Sequence, residues 1–219
     1  AQIFNVLEAL GNNAMQSLMK AINEDIHTAQ TGKNIIGYPD IMATSTGATL
    51  GGINSSTSTF WESQRDTSSV TFLTQTTTNI FNGIESMNDI RDACRTQGAS
   101  KMALITTPSV LRAYRVALSS QGYGEVKLGN VQGIGGSINP SFYGSQLVED
   151  NDCASTTLYC VDLNAVKLNV LKSANFKKTS FTSLQSNGQL GQIAYVVAGV
   201  QMTTNNRRRS GVKTALTGA

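Results

Sequence analysis

An α+β fold with a mostly antiparallel sheet or sheets follows from the order of the hydrophobic patterns in this chain. Apolar residues recur at three- and four-residue spacing near its start, and they alternate or run continuously near its end. A single well-marked strand-to-helix step lies between. Helices early and strands late point to segregated elements rather than to a repeated βαβ unit.

The first element is a long amphipathic helix, predicted from about Ala1 to Ala29. Ile3, Leu7, Leu10, Ala14, Leu18, Ile22 and Ile26 form one face, while Glu8, Asn12, Gln16, Lys20 and Asn23 fall elsewhere. At a rise of about 1.5 Å per residue it spans roughly 40 Å. Gly11 costs about 1 kcal/mol relative to alanine there and marks a candidate bend. Gly32 and Gly37 close the segment. From Ala43 to Asn79 Ser and Thr dominate, but Ile53, Phe60 and Trp61 are apolar anchors for which a linker has no use. Ordered loops with short strands are expected.

A second helix is predicted from Leu73, Ile80, Ile84, Met87 and Ile90 on one face, with Gly98 just past its end. In "KMALITTPSVLRAYRVAL" a buried strand, Met102 to Ile105, leads into a third helix. Thr107 stands at the N-cap and Pro108 at the first helical position, where its missing N–H is no loss. "GNVQGIGGSINPSFYGSQLVED" reads as loop with short strands. "TLYCVDL" and the alternating "VKLNVLK" read as neighbouring strands joined by a tight turn near Asn164. "QIAYVVAGVQM" reads as a further buried run. Val212, Thr214 and Leu216 alternate with Lys213 and Ala215, giving a last strand.

Charged residues are 14% of the 219 positions, so the polar surface is mostly neutral Ser, Thr, Asn and Gln. Such a surface packs against neighbours with little charge to desolvate, which favours self-association. The net charge of +3 is too small to argue for nucleic acid by itself. No apolar stretch approaches the roughly 18 residues that span a bilayer.

The residues that carry chemistry are sparse. Cys94, Cys153 and Cys160 contain no CxxC pair, so they read as three reduced thiols. His27, the only histidine, lies at a helix end with no nucleophile motif in the chain, and is expected to be solvated or capping. The glycines from Gly129 to Gly136 match neither GxxxxGK[ST] nor GxGxxG. Glu149, Asp150 and Asp152 lack the glycine and distant glutamate of a calcium loop and read as a solvated turn. Nothing here calls for a metal, a cofactor or enzymatic activity. Arg207, Arg208 and Arg209, between a strand and "SG", read as a basic corner in a strand-turn-strand. That corner is a candidate contact for neighbouring subunits or for nucleic acid, where each phosphate contact would release counterions.

Taken in order, "LMKAINEDIHTAQTGKNIIGY", "GGINSSTSTFWESQ", "ALITTPSVLRAYRVAL" and "TLYCVDLNAVKLNVL" followed by "QMTTNNRRRSGVKTAL" resemble the major capsid proteins of tailed bacteriophages, which have the Hong Kong 97 fold. The resemblance implies that the first helix is the spine helix of a peripheral domain, residues 1–98, completed by about 179–219. Residues 99–178 would be the axial domain. Its glycine-rich loop, with Gly133, Gly135, Gly136 and Asn139, would meet symmetry mates around the shell axes. The implied function is a structural shell subunit forming pentamers and hexamers of a phage or prophage head around double-stranded DNA. Scaffold, portal and decoration proteins are implied as partners, with no cofactor and no membrane. The implied location is the virion, and the bacterial host cytoplasm during assembly.

Family members carry an N-terminal arm and an E-loop hairpin ahead of the spine helix. The resemblance therefore leads to the expectation that roughly 100 residues precede Ala1 in the full product. It also leaves covalent cross-linking in doubt, since no E-loop lysine can be matched. Two other readings remain open at this point: the shell of a bacterial nanocompartment, and a small nucleic-acid-binding protein using the Arg207 to Arg209 corner.

Overall fold

The computed structural model describes residues 2–75, 80–120, 141–183 and 192–217. Helix α1, Gln2–Ile26, runs without interruption through Gly11, where an added Cβ would meet nothing within 4 Å. Among its described side chains, Ile26 near the C-terminal end is partly buried and packs on the interior, whereas Leu10 is 59% exposed. A short helix α2, Tyr38–Ile41, follows.

The described part of the Ser/Thr-rich segment, up to Gln75, forms loops with short strands, as its apolar anchors predict. Strands β1, Thr49–Leu50, and β2, Ile53–Asn54, form a tight hairpin through Gly51 and Gly52. Both glycines have positive φ, which a two-residue hairpin turn of the favoured hand requires. A single 3₁₀ turn, Thr59–Trp61, then brings the Trp61 Nε1–H to the Leu50 carbonyl at 3.1 Å.

Strands β3, Gln64–Asp66, and β4, Val70–Thr71, precede helix α3, Asn82–Thr96. Then come β5, Met102–Thr106, and helix α4, Pro108–Ser120, with Thr107 and Pro108 where the capping signals place them. Beyond lie β6, Ser141–Phe142, β7, Ser145–Glu149, and β8, Leu158–Asp162. Next are β9, Val166–Val170, β10, Lys177–Lys178, and β11, Thr182–Ser183. The last strands are β12, Gln192–Ile193, β13, Val196–Val197, β14, Val200–Thr204, β15, Gly211–Lys213, and β16, Leu216–Thr217.

Six of these strands form one sheet in the order β3-β15-β8-β5-β7-β6. Antiparallel pairings predominate, as expected, but the sheet is mixed, because β3 with β15 and β5 with β7 are parallel pairs. All five residues of β8 are buried, and successive side chains serve opposite faces. Leu158 and Cys160 join a core with Met87, Ile90, Leu111 and Leu147 under α3 and α4. Tyr159 and Val161 join a second core with Ile41, Met42, Val166, Met202 and Val212. The three cysteines are free and buried, and desolvation pushes the Cys153 thiol up to about 12.

The antiparallel ribbon β9–β14 is continued outward by β10–β13 and β11–β12. This corrects two sequence expectations. "VKLNVLK" does turn at Asn164, but it cannot pair with β8, whose two edges are already taken by β5 and β15. "QIAYVVAGVQM" is not a buried run, because a ribbon of two strands has little to cover it; Tyr195 is 60% exposed. The expected last strand is likewise broken in two at Ala215, which has a φ of 55°. The six-stranded sheet draws on both sequence segments, since β3 and β15 lie outside 99–178 and its other four strands lie inside.

Candidate assembly surface

The basic corner is a 3₁₀ turn, Arg207–Arg209, capped by Asn206, whose side chain accepts from the Arg208 N–H at 3.1 Å. Its three arginines have different fates. Arg207 is 1% exposed and donates through Nε to the Ile41 carbonyl at 2.8 Å. Its Nη2 donates to the Asp40 carbonyl at 2.9 Å and its Nη1 to the Ala48 carbonyl at 3.3 Å. A planar guanidinium can satisfy several carbonyls at once, so this side chain staples the loop from Asp40 to Ala48 onto the turn. Arg207 is therefore not a surface contact, which corrects its place among the candidate assembly or DNA residues.

Arg208 and Arg209 are half-buried. Arg208 lines a polar cleft of about 230 Å³ with Glu62, Gln64 and Arg65, in which Arg65 is paired with Glu62. Arg209 packs its guanidinium against Gly98, with Nη1 4.0 Å from Oδ2 of the fully buried Asp162. Both stay close enough to the surface to meet a neighbour. The axial-loop candidates Gly133, Gly135, Gly136 and Asn139 lie outside the described residues.

Lys213, which alternates with the apolar residues of the expected last strand, is wholly buried. Its ammonium donates to Asp66 Oδ2 at 2.7 Å, to the Ser68 carbonyl at 2.7 Å and to Ser68 Oγ at 2.8 Å. Three donors meet three acceptors, which is what a buried ammonium requires. Burial alone would raise the Asp66 carboxyl, but hydrogen bonds from Lys213 and Ser68 and the lysine charge outweigh it and hold the pKa at about 2.

A third polar constellation joins α1 to the sheet. Asn23 in the last turn of α1 and His27 just past its end are one turn apart, and both reach the turn after β7. Asn23 Nδ2 donates to Asp152 at 2.7 Å and to Asp150 at 3.1 Å, and His27 Nε2 lies 3.2 Å from Asp150 Oδ2. His27 is 6% exposed and is flanked by the rings of Tyr38 and Tyr159, so it is neither solvated nor a simple cap. The acidic turn is correspondingly a socket for the helix rather than a solvated loop. Burial acts to raise the Asp150 carboxyl, yet the Asp152 N–H, the Asn23 amide and His27 together bring it below its ordinary value. The i, i+4 spacing of Asn23 and His27 was the available sequence signal for this junction.

Among the described residues no group of three or more His, Cys, Asp and Glu side chains is arranged to hold a metal ion, and no helix is long and apolar enough to cross a membrane. The buried polar groups hold segments of the chain together.

No protein-family model matches the chain, and no curated protein matches it in sequence. Solved structures do. A subunit of the cyanophage A-1(L) capsid superposes with a TM-score of 0.71 at 17% identity, over 97% of this chain and 70% of that one. The capsid of an empty GTA particle matches with a TM-score of 0.63 at 10% identity, over 100% of this chain and 74% of that one. The capsid of the native GTA particle matches with a TM-score of 0.59 at 10% identity, over 96% and 66% respectively. The fold is thus that of these capsid subunits, as the sequence resemblance implies.

Proposed function

We propose that this chain is the structural subunit of an icosahedral phage-type head, acting without catalysis by packing against copies of itself. One observation carries the reading: the likeness to capsid subunits runs along essentially the whole chain rather than over one common motif. The physical character of the molecule agrees with it. Its surface is low in charge, and its internal cations are used as staples.

In this reading residues 99–178 form the axial unit and 1–98 with 179–219 the peripheral unit, with the six-stranded sheet as the element they share. Pentamers and hexamers form around the axial unit, with the loop containing Gly133, Gly135, Gly136 and Asn139 at the symmetry axes. Scaffold, portal and decoration proteins are further partners. Arg208 and Arg209 remain candidates for contact with a neighbouring subunit or with packaged double-stranded DNA.

The test is negative-stain electron microscopy of the protein expressed from its complete reading frame, with absorbance of the purified particles to report nucleic acid. Closed shells or capsomer rings are expected. Dispersed monomers across salt and concentration would overturn the reading.

A further inference from the structure

The charge of this chain is divided along its length. From Leu163 onward there are eight Lys and Arg residues and no Asp or Glu, so every carboxylate side chain lies at or before Asp162. Arg207 and Lys213 are consumed internally, as described above. Of the six that remain, Arg208 and Arg209 are half-buried at the basic corner, and the four fully exposed ones, Lys167, Lys172, Lys177 and Lys178, lie on the β9–β14 ribbon and its outward continuation.

The same ribbon exposes apolar side chains that water disfavours. Leu171 is 59% exposed, and Leu168, Tyr195 and Val197 also stand largely in solvent. Exposed apolar groups gathered on one element mark a contact surface. A two-stranded ribbon is also marginal by itself in water and gains from being covered. One side of its outer part already faces α1: Lys178 and Val196 line a cleft of about 280 Å³ with Leu10 and Gly11, and the Lys178 ammonium lies 4.6 Å from the Phe181 ring centroid. Alternation along the strand puts Lys177 and its cross-strand neighbour Val197 on the other side.

The complement to this surface exists on the chain itself. Glu85, Asp89 and Asp92 recur along the solvent face of α3 and are all exposed. Their α3 neighbours Ile84 and Asn88 line an apolar cleft of about 420 Å³ that also includes Tyr143, and Asp92 pairs with Arg91 at 3.1 Å. Cations beside apolar groups on one element, and carboxylates beside an apolar cleft on another, make a complementary pair of surfaces. Different patches on two copies give a head-to-tail contact, which closes into rings when the rotation permits. DNA would use the lysines but not the exposed apolar side chains, so a protein partner is favoured.

We infer that the lysine-bearing ribbon docks on the α3 acidic row of a second copy of this chain. The inference rests on the shell-subunit reading and adds the partner surfaces to it. The test compares three forms of the complete product by sedimentation velocity and electron microscopy. They are the wild type, a ribbon variant (Lys167→Glu, Lys172→Glu, Lys177→Glu), and that variant carrying also Glu85→Lys and Asp89→Lys. Lys178 is left in place because it stacks on Phe181.

The ribbon variant is expected to associate at least about tenfold more weakly while keeping its circular dichroism spectrum and thermal midpoint, and the charge swap is expected to restore association. Unchanged association of the ribbon variant, alongside normal wild-type particles, would overturn this contact and leave the shell reading standing. A wild type that never associates would overturn both. Loss that the charge swap does not restore, accompanied by loss of salt-sensitive DNA binding, would transfer the lysines to nucleic acid and overturn the contact.

Discussion

Arg207 and Lys213 are the two buried cations that set the local architecture, and each can be tested by itself. Replacing Arg207 with Met keeps much of the volume but leaves the carbonyls of Asp40, Ile41 and Ala48 without their donors. A loss of about 3 kcal/mol or more is expected, at roughly 1–3 kcal/mol for each buried group left unsatisfied. Urea denaturation would report it, and Arg208→Ala should stay near wild type in the same assay. For Lys213 the handle is pH. The Asp66 carboxylate is held at about 2 in the folded chain, against about 3.9 when unfolded. Its folded-state value is depressed, so the stabilisation is fully present above about pH 4 and is lost as pH falls toward 2. The stability difference between wild type and Asp66→Asn, measured by denaturant titration at several pH values, should therefore shrink across that window. The three arginines in a row were legible as a turn, because "NNRRRSG" is local turn chemistry. Which arginine is buried was not legible, since the carbonyls that bind it come from a loop more than 150 positions earlier.

Among the elements, α3 and α1 carry glycines whose replacement should act in opposite directions. Gly83 lies at the start of α3, where an added Cβ would run into the wholly buried Phe72 ring. Gly83→Ala is expected to cost about 1–3 kcal/mol through overpacking. In α1 the Gly11 site is open, so Gly11→Ala should instead stabilise the helix by up to about 1 kcal/mol. Thermal melts of the two variants would check both signs. The pair also shows how far local pattern reaches. The strand-to-helix step from β5 to α4 could be read from Thr107 and Pro108 because its signals are adjacent in sequence. The pairing of β9 could not, because it depends on which edges of β8 other segments have already occupied. The misreading of "QIAYVVAGVQM" has a similar origin, since apolar content reports what a strand can bury and not whether a second layer arrives to bury it.

For the whole molecule, the α+β class and the long first helix were visible in hydrophobic period, whereas the mixed sheet and the two-sided core were set by long-range pairing. The assembly surfaces were least visible. Their signal is the absence of any carboxylate side chain after Asp162, where eight Lys and Arg residues remain, which a net charge of +3 averages away. The most consequential feature of the topology is the insertion of β15 between β3 and β8. Its Lys213 meets Asp66 across 147 positions of sequence, and its own neighbours in the chain cannot substitute for it. A ribosome must therefore release almost all of this sequence before the central sheet can close, and high contact order makes that closure slow. Until then the carboxylate-bearing part of the chain exists without its last interior strand, and α3, which packs on that sheet, is not yet seated as a surface for another copy. Synthesis thus imposes an order in time: a nascent chain completes its own sheet before its α3 can receive another copy.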